Sequence, residues 1–342
     1  MSGRCQPAIA VRRLSCLALL GAALAACAPP PTRLEKVRVA AGAYLSEAVE
    51  FVAKEQGIFA AHGLDVEIVL LNNTSAALPA LAGGEVDVGS CTPLNARCFN
   101  VIQRGADIRL VAARTFYDPA GCAHDAFLVR SSLLDSGRVT GPASLRGLRI
   151  TSERTGSNQY YFSRLLAQGG LTMGDVEEIA LPASVRGDAF ARGLIDVASA
   201  TEPWTTRMTR TGEARVWKRV AEVLPGHQSG YLMFGARLLH GRRDLGESFL
   251  AAYLEAARRL REEGKSVRNV EALARWTKFD ADELREMCWP PTPTDPRPDP
   301  DTLAEFQEWA LRSHLVDEIS PADRLVDGGF VEALTAARKG GA

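Results

Sequence analysis

Long apolar runs are missing from this 342-residue chain: nowhere do about 18 or more apolar residues follow one another. That excludes a protein crossing a bilayer several times. A surplus of one charge is missing too. Forty basic and 41 acidic residues leave a net charge of −1, with no basic run, so DNA and RNA are not expected partners. There is no C-x-x-C pair and no Cys/His cluster, and the five histidines (His62, His124, His227, His240, His314) have no metal-ligand spacing. No metal and no cofactor is therefore expected. A Gly-x-Ser-x-Gly elbow and a glycine-rich phosphate loop are also absent. Aromatic residues make up only 7%, yet 46% hydrophobic and 24% charged residues exclude collagenous, mucin-like and wholly disordered chains. The length suits about two domains.

What is present begins with a processing signal at residues 1–26. Arg4, Arg12 and Arg13 form a positive start without an acidic residue, and residues 14–26 are an apolar segment of 13, too short to span. It ends in Leu24-Ala25-Ala26-Cys27, which resembles a bacterial lipobox. The resemblance implies lipidation of Cys27 as the first mature residue, a multi-chain membrane anchor. An ordinary signal peptide cut at an A-x-A-like site is the alternative. Residues 27–36, with Ala28-Pro29-Pro30-Pro31-Thr32, then form the lipidated cysteine and a stiff tether. The protein is expected to be exported and held at the cell envelope. Cys91, Cys98, Cys122 and Cys288 remain in the mature chain, and the three possible pairings stay open, beside the reading of Cys91 and Cys288 as small buried residues.

The chain repeats itself. Gly84-Glu85-Val86-Asp87-Val88-Gly89-Ser90 returns 109 residues later as Gly193-Leu194-Ile195-Asp196-Val197-Ala198-Ser199, and both copies run into a proline, Pro93 and Pro203. Upstream, Gly63-Leu64-Asp65-Val66-Glu67-Ile68 matches Gly170-Leu171 and then Asp175-Val176-Glu177-Glu178-Ile179. Short strands at 38–41 and 149–152 precede helices expected at 47–59 and 158–168. Further helices are expected at 75–82 and 183–192. Each half reads strand–helix–strand–helix–strand, which right-handed crossovers turn into a parallel sheet.

Open parallel sheets bind ligands beyond the carboxyl ends of their strands. Those ends carry Tyr44 and Ser46, Asn73 and Thr74, and Ser90 and Thr92 in the first half. In the second they carry Thr155, Gly156 and Ser157, then Thr201 and Glu202. Ser46, Thr74 and Ser157 also suit plain helix caps. Glu202 either meets a ligand amine or caps the helix that Pro203 begins. Tyr44, Phe116 and Trp204 are candidate aromatic walls, with Trp204 equally a core residue, and Arg114 or Arg154 a candidate partner for an anionic group.

Phe51-Val52-Ala53-Lys54-Glu55-Gln56-Gly57-Ile58-Phe59, His62-Gly63-Leu64-Asp65-Val66-Glu67 and Gly84-Glu85-Val86-Asp87-Val88-Gly89 together resemble the solute-binding proteins of nitrate, sulfonate and taurine ABC importers, a group that includes binders of thiamine pyrimidine precursors. Residues 142–150, Gly170-Leu171-Thr172 and Glu202-Pro203-Trp204 continue the pattern. The resemblance implies an α/β, two-lobed type II periplasmic-binding-protein fold, each lobe a mostly parallel sheet flanked by helices, with a helical C-terminal part. Lobe 1 would take 37–122 plus 238–342 and lobe 2 would take 123–237. Residues 116–121 and 226–230 stand where hinges are needed.

Beyond 238 the chain turns helical, at 245–263, 267–279, 281–288 and 301–313. Six prolines between 290 and 300 forbid helix and favour an extended surface connector.

The function so implied is capture of a small organic or anionic solute by a monomer that serves an ABC permease and ATPase. No catalytic residue is expected. Two alternatives are an enzyme on the same fold and an exported sensor that binds a solute without transport. Of the cysteine-rich motif that pyrimidine synthases of this group carry, only Cys98-Phe99 has a counterpart.

Overall fold

The computed structural model describes residues 33–71, 76–151 and 156–340. The leader, Cys27 and most of the tether lie outside the described residues, as do Asn73, Thr74, Arg154 and Thr155.

Ten strands form: β1 (Glu35–Ala41), β2 (Leu64–Leu70), β3 (Val88–Cys91), β4 (Ile108–Phe116), β5 (Asp125–Arg130), β6 (Arg149–Thr151), β7 (Glu177–Glu178), β8 (Val197–Thr201), β9 (Ala214–Arg219) and β10 (Gln228–Gly235). They make two five-stranded sheets, ordered β2-β1-β3-β10-β4 and β7-β6-β8-β5-β9. In each sheet four strands run one way, while the fourth in order, β10 or β5, runs against its neighbours. Position explains composition. Edge strand β2 keeps Leu64 and Val66 buried while Asp65 and Glu67 face water, whereas every residue of the interior strand β10 is buried.

The repeated Gly-x-x-Asp segment is a joint in both sheets. Gly84 and Gly193 sit at φ +74° and +64°, the left-handed region that glycine enters without a Cβ penalty. The aspartates that follow open β3 and β8. Asp87 accepts the backbone N–H of Arg38 at 2.8 Å, and Asp196 accepts that of Arg149 at 3.0 Å. A second arginine reaches each carboxylate, Arg237 at 2.9 Å and Arg130 at 2.8 Å. Both prolines that close the repeat follow cis peptide bonds.

Three differences from the sequence reading have physical reasons. The helix expected at 47–59 is two helices, Ala48–Glu55 and Ile58–Ala61, because Gly57 turns left-handed at φ +70°. Strand β10, placed by the sequence reading in the second lobe, lies between β3 and β4, so the chain is back in the first sheet by 228 rather than 238. The C-terminal part also packs on both lobes. Phe51 stacks on Trp276 at 5.3 Å, on the first-lobe side, while Tyr160 of the second lobe meets Phe306 at 5.1 Å and Trp309 at 5.2 Å. Each such buried ring contributes roughly 1.5–3 kcal/mol.

The chain passes between the sheets twice, at 117–124 and at 224–227. Tyr117 fills the junction, stacked between His124 at 5.3 Å and His227 at 6.2 Å. Cysteines pair as Cys91–Cys98 and Cys122–Cys288, the second tying a crossover to the C-terminal part. The proline-rich stretch runs along the outer edge of β4, where Ala113 N–H donates to the Pro296 carbonyl at 2.7 Å. Among the described residues no helix is long and apolar enough to cross a membrane.

Candidate functional site

Both sheets turn the same kind of edge toward a cavity of about 310 Å³. The first lobe supplies Tyr44, Leu45 and Ser46 after β1, Thr92 and Pro93 after β3, Thr115 near the end of β4 and Ser229 near the start of β10. From the second come Ser157, Asn158 and Tyr161 on the helix Ser157–Ala167, Ala183 and Arg186 on Ala183–Ala191, and Ala200, Thr201, Glu202 and Trp204 around the end of β8. His124 and Asp125 enter with β5, and Pro290 reaches in from the C-terminal part. The volume suits a small molecule.

Several features hold this wall in shape. The Cys91–Cys98 bridge spans the loop carrying Thr92 and Pro93. Gly230 leaves room for two hydroxyls: a Cβ there would stand 2.5 Å from Thr92 Oγ1 and 2.7 Å from Thr115 Oγ1. Arg186 is buried, with Nε donating to the Leu181 carbonyl at 3.0 Å and Nη1 to that of Ser199 at 2.8 Å. The helix Ser157–Ala167 begins after Gly156, which has no side chain to cap it, so its first turn brings the positive end of the helix dipole to the cavity wall.

Burial shapes the titrating groups. It lowers the affinity of His124 for a proton, an effect that Asp125 only partly offsets. It raises the pKa of Glu202, against the opposing hydrogen bonds from Cys288 N–H and Thr206. Buried polar atoms on the wall without a hydrogen-bond partner among the described residues include Thr92 Oγ1, His124 Nε2 and the Tyr161 hydroxyl. Among the described residues no group of three or more His, Cys, Asp or Glu is placed to hold a metal ion. The four described cysteines are all paired, so none presents a thiol to the cavity.

Of the residues singled out from sequence, the structure brings Tyr44, Ser46, Thr92, Ser157, Thr201, Glu202 and Trp204 together around the cavity. Glu202 also caps, accepting Thr206 N–H at 3.1 Å and Thr206 Oγ1 at 2.8 Å. Four others fall elsewhere. Arg114 does not line the cavity: it is buried behind the wall, where Nη2 meets Glu47 at 2.6 Å and Glu50 at 2.9 Å, two buried carboxylates that need a cation. The same nitrogen holds the Ser46 carbonyl at 2.8 Å. Phe116 follows Thr115 on β4, and the alternation that turns Thr115 to the cavity turns Phe116 from it. Ser90 Oγ points back to Glu47 at 3.4 Å, and Gly156 serves as the helix N-cap.

Sequence reasoning missed Thr115, His124, Asp125, Tyr161, Arg186 and Ser229. It searched the carboxyl ends of parallel strands, whereas β5 and β10 run the other way and bring their amino ends to the same edge. Alternation along β4 was the available signal for Thr115.

The geometry agrees with what is known of related sequences. A family model described as the NMT1-like family matches residues 30–276. The chain belongs to the NMT1-like family. No curated protein matches it. Among solved structures, the periplasmic aliphatic sulphonate binding protein SsuA of Escherichia coli superposes with a TM-score of 0.71 at 19% identity, covering 85% of this chain and 97% of that one. The periplasmic nitrate-binding protein NrtA of Synechocystis PCC 6803 gives 0.66 at 14%, covering 89% of both chains. The desulfurization enzyme DSZB gives 0.63 at 16%, covering 89% of this chain and 99% of that one. At these identities the likeness establishes the shared two-lobed α/β fold, which binding proteins and an enzyme both use.

Proposed function

We propose that this NMT1-like protein is an extracytoplasmic solute-binding lipoprotein of an ABC importer. It captures a small polar or anionic organic solute in the cavity between its lobes, closes on it about the crossovers 117–124 and 224–227, and presents it to a permease–ATPase complex. Lipidated Cys27 would hold the monomer at the membrane. The observation that carries this reading is a cavity to which both lobes contribute strand-end loops and helix starts, so that closure would complete it. The uncapped start of the helix Ser157–Ala167 and the guanidinium of Arg186 favour an anionic group at one end of the solute.

Thermal unfolding of the full-length chain in mild detergent, across sulfonates, nitrate, aminopyrimidines, aromatic carboxylates and flavins, tests it. A ligand at 100 times its Kd adds about 2.7 kcal/mol, which raises the melting temperature by about 4 °C for a chain of this size. Response to one class without turnover supports the reading. Chemical conversion of the responding solute would instead make the protein an enzyme on this fold.

A further inference from the structure

Among the described residues five acidic side chains are buried: Glu47, Glu50, Asp87, Asp196 and Glu202. The first two share Arg114, Asp87 meets Arg38 and Arg237, and Asp196 meets Arg130 and Arg149. Among the described residues Glu202 makes no ion pair with arginine or lysine, and neither does Asp125, whose side chain is 12% exposed. These two line the same cavity.

They are not equivalent. Glu202 is saturated by the protein, since Oε1 accepts from Thr206 Oγ1 at 2.8 Å and Cys288 N–H at 3.0 Å while Oε2 accepts Thr206 N–H at 3.1 Å. Asp125 has one hydrogen bond, from the Tyr117 hydroxyl to Oδ2 at 2.8 Å, and His124 Nε2 stands 3.8 Å from the same oxygen. Burial disfavours the charged form of that imidazole, so His124 does not act as the missing cation. Oδ1 takes no hydrogen bond from the described residues and is not sealed from solvent, so it is open to the cavity. Asp125 thus lines the cavity with no arginine or lysine at ion-pair distance, whereas the buried carboxylates among the described residues are paired with arginine or filled with hydrogen bonds.

We infer that the captured solute carries a protonated nitrogen that docks on the Asp125 carboxylate, making Asp125 the residue that selects amine-bearing solutes over purely anionic or neutral ones. The inference rests on reading the cavity as a solute site. An ammonium or amidinium group needs only hydrogen-bond acceptors, whereas a metal ion would need a ligand set that the described residues do not assemble. Tyr44 and Tyr161 add ring faces of the kind that attract a cation. With an anionic end at the start of the helix Ser157–Ala167, the solute is amphoteric.

Matched pairs that differ only in the nitrogen test this by calorimetric titration of the full-length chain: 2-aminoethanesulfonate against 2-hydroxyethanesulfonate, 4-(aminomethyl)benzoate against 4-(hydroxymethyl)benzoate, and 4-aminobutyrate against 4-hydroxybutyrate. In at least one pair the amine binds about tenfold or more tightly, the range expected of a charge-assisted hydrogen bond. Asp125→Asn, which keeps an acceptor for Tyr117, abolishes that preference and leaves the hydroxyl partner's Kd within about threefold. Equal or tighter binding of the hydroxyl compounds overturns the inference while the solute-binding reading stands. An amine preference that survives Asp125→Asn overturns the assignment to Asp125. Failure of every compound to bind counts against both. Should Asp125→Asn not fold, the wild-type comparison within pairs decides alone.

Discussion

The buried trio behind the cavity wall makes a prediction whose sign is fixed by charge counting. Arg114, Glu47 and Glu50 are almost wholly excluded from water, and one guanidinium neutralises one carboxylate, leaving the second in excess. Burial is the largest influence on Glu50 and pushes its pKa up to about 8, against the pull of Arg114 and with a further push from Glu47. The folded state thus binds a proton that the unfolded state, with an ordinary glutamate value near 4.5, has released. Stability from this proton is fully present below about pH 4.5 and is lost as pH rises through about 8.

Integrating that linkage from pH 6.5 to 8.5 gives a fall of about 2 kcal/mol. Glu50→Gln removes the titration yet keeps an amide oxygen where Arg114 Nη2 now donates at 2.9 Å. The variant should therefore match the wild type within about 1 kcal/mol at pH 6.5 and exceed it relatively by about 2 kcal/mol at pH 8.5. Urea unfolding at the two pH values, followed by tryptophan fluorescence, reads both numbers. Trp276, stacked on Phe51 beside Glu50, reports on this part of the fold. An equal alkaline decline in wild type and variant would refute the charge count.

Three further outcomes follow from other parts of the structure. His227 is held at about 4 by burial, so the unfolded chain binds its proton first and stability drops by about 3 kcal/mol as pH falls from 6.5 to 4; His227→Gln should flatten that acid limb in the same urea assay. Gly230→Ala forces a methyl against the Thr92 and Thr115 hydroxyls, an overpacking of about 1–3 kcal/mol. Calorimetry should show weaker solute binding, and an unchanged Kd would mean that this wall does not touch the solute. Replacing Cys122 and Cys288 by serine opens a loop of 166 residues and should lower stability by about 4–5 kcal/mol, read from denaturant midpoints.

The fold was legible where the chain repeats a physical solution. Two Gly-x-x-Asp segments at matching places in two strand–helix patterns anticipated two sheets of one topology, and both sheets have it. The Gly-x-x-Asp signal, however, marked joints rather than ligand contacts, since Asp87 and Asp196 are consumed by backbone N–H groups and arginines. Cysteine pairing was not legible, because Cys122 and Cys288 lie 166 positions apart and meet only when the C-terminal part folds back over the second lobe. Arg114 misled for a related reason. An arginine at a strand end suits an anion site, and nothing local announces that Glu47 and Glu50, one helical turn apart on another element, will claim it.

The same bookkeeping of charge shows how the two walls differ. Among the described residues the first lobe contributes uncharged side chains to the cavity: Tyr44, Leu45, Ser46, Thr92, Pro93, Thr115 and Ser229. Arg186, Asp125 and Glu202 all come from the second lobe or the crossover that enters it. Repeated halves have thus kept a common frame while diverging at the rim, and the divergence is in charge. A closing motion would bring a neutral, hydroxyl-rich wall onto a charged one, lowering the water content around Asp125 and Arg186 and strengthening their pull on a solute already seated there. Selectivity for solute charge should then reside in the second wall, and the closeness of fit in the first, where Gly230 fixes how near two threonine hydroxyls approach.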